Sequence, residues 1–340
     1  MTTLAQYKYL GADQEVRMGV GLTLVDVSPW FRELPFTELA DNDISRYKME
    51  TSDGGASVHS VGDTWSTANP TWEYREAQLA ILGDNIDVDK FGSFAEGKEN
   101  ALDIARKLKT KGISQTFDKL AIYGRTTSTG SLNNTANFKG LLRLIAECET
   151  STTEDLDGWL YTGEDSEAHN KQVLQAASGG SATVALAMFH ALVDQVRPQA
   201  SHIIVSRLVR RKLQTLTEAA GQNLEHDKDQ LGYQITRWGE QIVFIDDQIK
   251  NQMNDPSGLV TAIGSYDYNQ AYTASSTDTS PIFAVRMGED GLCGMNGVGM
   301  IQVEPLGTLE GKDATGERIK FYCGLRLTNK TAAAVMMSAA

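Results

Sequence analysis

Cysteine is nearly absent from this chain: 3 among 340 residues, with 7 prolines and 5 histidines. Cys148, Cys293 and Cys323 lie far apart and form no CxxC or CxxH pair. That excludes a disulfide scaffold and a zinc ribbon and leaves three reduced thiols, as in a cytosolic product. The sequons at Asn133 and Asn329 carry no weight without a secretory signal. Positive charge is also short. Lys and Arg total 31 against 44 Asp and Glu, a net charge of −13. Wrapping nucleic acid or coating an anionic membrane needs the opposite sign. No apolar run reaches the ~18 residues of a membrane span. The start, MTTLAQYKYLGADQ, lacks the basic-then-apolar order of a signal peptide. Fixed-period repeats are missing too, which argues against solenoids and propellers.

Signatures of catalysis are equally scarce. There is no GxxxxGK[ST], HExxH or GxSxG. The glycines of GEDGLCGMNGVG (288–299) are not in GxGxxG order and read as turn glycines. His59, His169, His190, His202 and His226 are scattered, with no metal-ligand spacing. Asp246 and Asp247 follow an apolar run and read as a solvated turn. No cofactor and no catalytic residue is expected.

What is present is ordinary globular material: 41% apolar residues and 31 glycines. The length suggests about two domains and can bury about three-quarters of the unfolded surface. Residues 1–42 show no sustained period, and Pro29 and Pro35 interrupt LTLVDVSPWFRELPF. They read as an extended arm anchored by Val25, Val27, Trp30, Phe31, Leu34 and Phe36. Residues 43–82 read as one long hairpin. In DISRYKMET, Ile44, Arg46, Lys48 and Glu50 alternate with Ser45, Tyr47 and Met49, and TWEYREAQLAIL alternates likewise. The link SDGGASVHSVGDTWSTANP is too polar for a core of its own, so the hairpin should project and need a partner surface. Residues 98–122 read as a long amphipathic helix through Gly112, with Leu102, Ala105, Leu108, Ile113, Phe117 and Leu120 on its apolar face. Beyond 150, strands and helices alternate. A helix spans 183–196 and HIIVS is a buried strand; Ser206 caps RLVRRKLQTLTEA, and QIVFID and PIFAV are further strands. Strands resume from 300, and the tail TAAAVMMSAA should be packed.

The order of these parts resembles the major capsid proteins of tailed bacteriophages, the Hong Kong 97-like fold. The resemblance is carried by ISRYKMET…WEYREAQLAILGDNIDVDKF, ALDIARKLKTKGISQTFDKLAIYG, NFKGLL, HIIVSRLVRRKLQ, QIVFIDD and IKFYCGLRLTNKTAAAVMM. Arg125 follows Tyr123-Gly124 where many members have an acid. The resemblance implies an α+β chain. Its N-terminal arm spans 1–42 and its E-loop hairpin 43–82. A P-domain takes 83–145 and 306–340 with the spine helix at 98–122, and a mixed α/β A-domain takes 146–305. It implies hexamers and pentamers closing into an icosahedral shell around double-stranded DNA, in a virion assembled in the host cytoplasm. A portal protein and separate scaffolding and decoration proteins are the implied partners; the hairpin pattern starts too early to leave room for a fused scaffolding region. The arm and E-loop would lie on neighbouring subunits. Candidate contact residues are Trp30 and Phe31 on the arm, Arg46, Lys48, Trp65, Trp72 and Arg75 on the hairpin, and the basic cluster Arg207, Arg210 and Arg211. Some members form Lys–Asn cross-links. Lys48 and Asn329 can be imagined as partners, but no acid can be assigned as proton acceptor, and no cross-link is expected.

Two rival readings remain. An encapsulin shares the fold and encloses an enzyme, though the long arm and hairpin favour a phage shell. A cytosolic α/β enzyme with Asp246 and Asp247 in its cleft would need a convergent polar site, which the sequence does not supply.

Overall fold

The computed structural model describes residues 2–3, 15–39, 44–52, 54–65, 67–90, 101–124, 136–149, 159–160, 172–175, 183–221, 224–228, 232–249, 280–309 and 311–339. They form two body sheets and one separate hairpin, an α+β arrangement.

The first sheet has five strands, in the order β1 (Thr2–Thr3), β2 (Pro35–Leu39), β13 (Leu292–Thr308), β14 (Ala314–Leu327) and β5 (Ala80–Asp89). Helix α3 (Ala101–Tyr123), 23 residues long, is the longest described and is about 35 Å in length at ~1.5 Å per residue. It runs unbroken through Gly112, as the sequence predicts. Phe117 and Leu120 are buried, and Leu102 and Ala105 pack at the margin of the same core. Leu108 departs from the expected stripe and is exposed. The centre of this core is an aromatic knot. Phe117 stacks on Phe31 at 4.6 Å between centroids and meets Phe321 of β14 at 5.7 Å and Phe138 at 5.7 Å. The knot ties helix, sheet and N-terminal segment together.

That segment is the first correction. In place of an extended arm, Glu15–Val27 form helix α1 and Trp30–Glu33 a short turn of helix, α2. Val20, Leu24 and Val25 are buried against the body. The sequence hid the helix because EVRMGVGLTLVDV carries two glycines and few charges to mark a polar face; packing on α3 overrides weak propensity. The prolines punctuate the segment: Pro29 precedes α2 and Pro35 opens β2.

The second sheet has eight strands. Their order is β6 (Trp159–Leu160), β7 (Val173–Gln175), β15 (Ala333–Ala339), β12 (Ser280–Val285), β8 (His202–Val205), β11 (Gln241–Ile245), β10 (Gln234–Trp238) and β9 (Glu225–Lys228). Strands β8 and β11 run parallel, with Ile203 beside Val243. Helices α5 (Leu186–Asp194) and α6 (Arg207–Ala219) lie near this sheet. Ser206 caps α6 as expected, its Oγ accepting from the Val209 N–H at 3.3 Å. The C-terminal segment is packed as predicted: Ala332–Met336 are all buried.

The two sheets do not respect the expected boundary at 305/306. Strand β13 begins at Leu292 and belongs to the first sheet, while β15 returns to the second. The glycines of 288–299 therefore divide by role. Gly288, at φ 151°, serves a turn. Gly294 and Gly297 lie inside β13, where an added Cβ would meet the Phe36 ring at 2.5 Å and the Tyr322 Cβ at 2.9 Å.

Candidate subunit-contact surfaces

The hairpin forms as the sequence predicts. β3 (Ile44–Ser52) and β4 (Thr71–Gln78) pair antiparallel, with Lys48 opposite Tyr74 and Arg46 opposite Glu76. Opposed residues share a face, so one face presents Ile44, Arg46, Lys48, Trp72, Tyr74 and Glu76. The other carries Ser45, Tyr47, Met49, Arg75 and Ala77. The return limb breaks at Leu79, and β5 continues into the five-stranded sheet.

The two faces have different fates, and here the expectation of a free ribbon needs correcting. Ser45, Met49 and Ala77 are buried on the chain's own body, with the Met49 sulfur 3.7 Å from the Cys148 thiol of helix α4 (Leu141–Glu149). Arg75 belongs to this inner face, where it donates to Glu73 at 2.9 Å. The outer face is exposed. Arg46 donates to Glu76 at 2.8 Å, and the Lys48 ammonium sits 4.8 Å from the centre of Trp72 and 5.7 Å from that of Tyr74. The cation holds Trp72 in place while leaving it 51% accessible. Farther out, Trp65 is 80% accessible and leans on His59 at 4.5 Å, and Val58 and Val61 are fully exposed. Apolar side chains on so polar a tip have no cover within the described residues.

Where the hairpin crosses the body, Lys48, Pro70, Thr71 and Trp72 face Asp290, Thr328 and Asn329 across a cavity of about 360 Å³. Lys48 and Asn329 thus line the same cavity as Asp290, an acid that the sequence could not assign. The Asn329 side-chain oxygen is engaged by the Thr331 N–H and hydroxyl, both at 2.9 Å.

Trp30 and Phe31 were expected on a neighbour and are instead fully buried in this chain's own core. Phe31 belongs to the aromatic knot. Trp30 packs edge-on against Phe244 at 5.1 Å, and its indole N–H donates to Asp246 Oδ2 at 2.6 Å. On α6, Arg207 is held by Asp247, with Nη2 2.5 Å from Oδ2. The Arg211 Nε reaches the Arg207 carbonyl at 3.5 Å, and the Arg210 Nε is enclosed with no hydrogen-bond partner.

Sequence reasoning missed two buried carboxyl groups. Asp246 is buried, although Asp247 beside it is solvated as expected. Asp118, on α3, is also buried and accepts from the Ser28 hydroxyl. Burial drives both upward from the usual carboxylate range, Asp118 to about 8 and Asp246 to about 6, and the negative charge of Asp246 adds to the rise at Asp118. The signal available for Asp246 was its position, one residue beyond a buried strand.

Among the described residues, no group of three or more His, Cys, Asp or Glu could hold a metal ion, and no helix is long and apolar enough to cross a membrane. No family model matches the chain, and no curated protein does. Solved structures do. The SrpI encapsulin of Synechococcus elongatus PCC 7942, in its holo complex, matches 92% of this chain and 88% of its own at 14% identity, with a TM-score of 0.59. The capsid of a native GTA particle matches 94% and 90% at 12% identity, with a TM-score of 0.56. A Mycobacterium phage Ogopogo structure matches 93% and 91% at 12% identity, with a TM-score of 0.53. The fold is the Hong Kong 97-like fold of shell proteins.

Proposed function

We propose that this chain is the major capsid protein of a tailed bacteriophage, assembling as hexamers and pentamers into an icosahedral shell around double-stranded DNA. The observation that carries the reading is the hairpin: a pinned inner face, an exposed outer face with Trp72 and Tyr74, and an uncovered tip with Val58, Val61 and Trp65. On a fold shared with capsids, a second copy of the chain is the cover this surface fits. Arg46, Lys48, Trp65 and Trp72 are the contact residues on the hairpin, and Arg210 and Arg211 are those on α6. The net charge of −13 suits a wall that holds DNA without gripping it. The chain's role is structural, with no reaction of its own. A portal protein and separate scaffolding and decoration proteins complete a virion assembled in the host cytoplasm. No Lys48–Asn329 bond is needed for closure.

The test is assembly. Trp65→Ala and Trp72→Ala should leave a soluble subunit with unchanged circular dichroism but lower the shell yield in sedimentation, since exposed aromatics are common contact anchors. Wild-type yields from both variants would remove the hairpin from the contact.

The similarity to an encapsulin supports a second reading, a protein nanocompartment shell. The contents of purified shells separate the two: packaged DNA supports the phage reading, and a protein cargo without DNA supports the compartment.

A further inference from the structure

Outside the hairpin, three large apolar side chains are exposed among the described residues: Ile81 on β5, and Ile104 and Leu108 on α3. The two on the helix lie four residues apart and so share a face. Lys107 and Lys111 fall on the same strip at helical spacing, and all four side chains are exposed, Leu108 at 66%. The strip lies away from the buried face that carries Phe117 and Leu120, so it does not serve this chain's own core. Its charge is also uncommitted. Arg106 is engaged by Glu317 and Lys109 by Asp84, whereas Lys107 and Lys111 have no ion-pair partner among the described residues.

The hairpin tip has the complementary character. It presents Val58, Val61 and Trp65, and the sequence from 51 to 70 holds Asp53 and Asp63 with no Lys or Arg. The exposed Asp63 carboxylate accepts from the Ser60 N–H at 2.6 Å and meets no cation among the described residues. Ile81 is the poorer match for it. On that face of the sheet, Lys320 is already engaged by Glu304 at 2.7 Å and Arg318 by Asn85 at 2.8 Å. Within one chain both the tip and the helix strip are uncovered, so the tip does not lie on its own α3.

We propose that the hairpin tip of one copy seats on the strip Ile104, Lys107, Leu108 and Lys111 of a second copy, with Val58, Val61 and Trp65 on the two apolar side chains and Asp63 beside the two lysines. This seat takes as given the second copy that the shell reading supplies, and adds where on that copy the tip lands. Burial of the tryptophan and its apolar neighbours gives the attraction, and the unpaired charges of opposite sign set the register. The two halves of the contact are different surfaces of the same chain. The contact is therefore head-to-tail: it runs on into a ring where the rotation closes, and does not stop at a two-fold dimer.

Cross-linking reads that geometry. Gly112 continues the strip one turn beyond Leu108, with nothing within 4 Å of an added Cβ, and the exposed Thr64 adjoins Trp65. The chain's own cysteines are all buried. A long bis-maleimide added to assembled Thr64→Cys/Gly112→Cys chains should join successive copies into a ladder that passes beyond the dimer on a denaturing gel, where either single variant gives a dimer at most. Shells that form without the ladder overturn the seat and leave the shell reading standing. A wild-type chain that forms neither rings nor shells overturns both. Should the double variant not assemble, charge decides. Lys107→Glu with Lys111→Glu should cut the shell yield several-fold with circular dichroism unchanged, and adding Asp63→Lys should restore most of it. An unchanged yield, or a loss that Asp63→Lys does not restore, overturns the seat.

Discussion

At the scale of single residues, two glycines show how the surroundings set the sign of one substitution. Gly124 and Gly140 bring two backbones together where helix α3 ends and α4 begins, the Gly140 N–H donating to the Gly124 carbonyl at 2.8 Å. A Cβ on Gly140 would lie 2.5 Å from the Gly124 nitrogen and 2.6 Å from the Leu120 carbonyl, both backbone atoms that cannot step aside. Gly112, in the exposed middle of α3, has nothing within 4 Å of an added Cβ. Gly140→Ala should cost about 3 kcal/mol by forcing the two chains apart. Gly112→Ala should gain about 0.5–1 kcal/mol by removing the helix penalty of glycine. Urea denaturation of the two variants beside the wild type checks both, and a Gly140→Ala protein as stable as the wild type would disprove the close approach. Here the sequence was only partly legible. The stretch NFKGLL stood out by resemblance, and Gly112 could be costed from composition alone. The need for glycine at 140 comes from a contact between segments, which no local pattern records. The same is true of Asp118: a charge on a helix looks solvated until the partner that buries it is known.

At the scale of elements, what could be read depended on whether a segment makes its own periodicity. The hairpin limbs alternate, so their two faces could be read, whereas the register Lys48–Tyr74 and Arg46–Glu76 is seen only in the fold. The spine helix repeats its apolar residues at helical spacing, and Phe117 and Leu120 face inward as expected. Helix α1 was invisible because its shape is imposed by α3 and the sheet rather than by its own residues. β15 was half legible: TAAAVMM is too apolar to be exposed, yet only the fold shows it between β7 and β12. That placement makes a prediction. A chain ending at residue 332 loses an interior strand and exposes the sheet edges of β12 and β7 to solvent. It should be recovered in the insoluble fraction at equal expression, whereas a chain lacking the exposed tip residues 55–65 should remain soluble and folded. Pelleting assays and circular dichroism of the soluble fraction measure this. A soluble, native-like 1–332 chain would show that β15 is an accessory strand and not part of the core.

At the scale of the whole molecule, the described residues leave large apolar side chains in water: Val58, Val61 and Trp65 of the hairpin tip have no cover among them. On the proposed reading, a neighbouring subunit supplies that cover. The expectation from sequence that residues 51–70 cannot form a core of their own rests on the same physics: too few apolar groups to offset the entropy of ordering. A compact globule of 340 residues has a radius of gyration of about 20 Å. Small-angle scattering of unassembled subunits, at a concentration where sedimentation shows a single slow species, should give a radius clearly above that. Removing residues 55–65 should lower it, because mass far from the centre weighs most in the average. A wild-type radius at the globular value would mean that in solution the tip folds back onto its own body. The exposed tryptophan would then need no neighbour, and the hairpin would lose its place as the proposed contact between subunits.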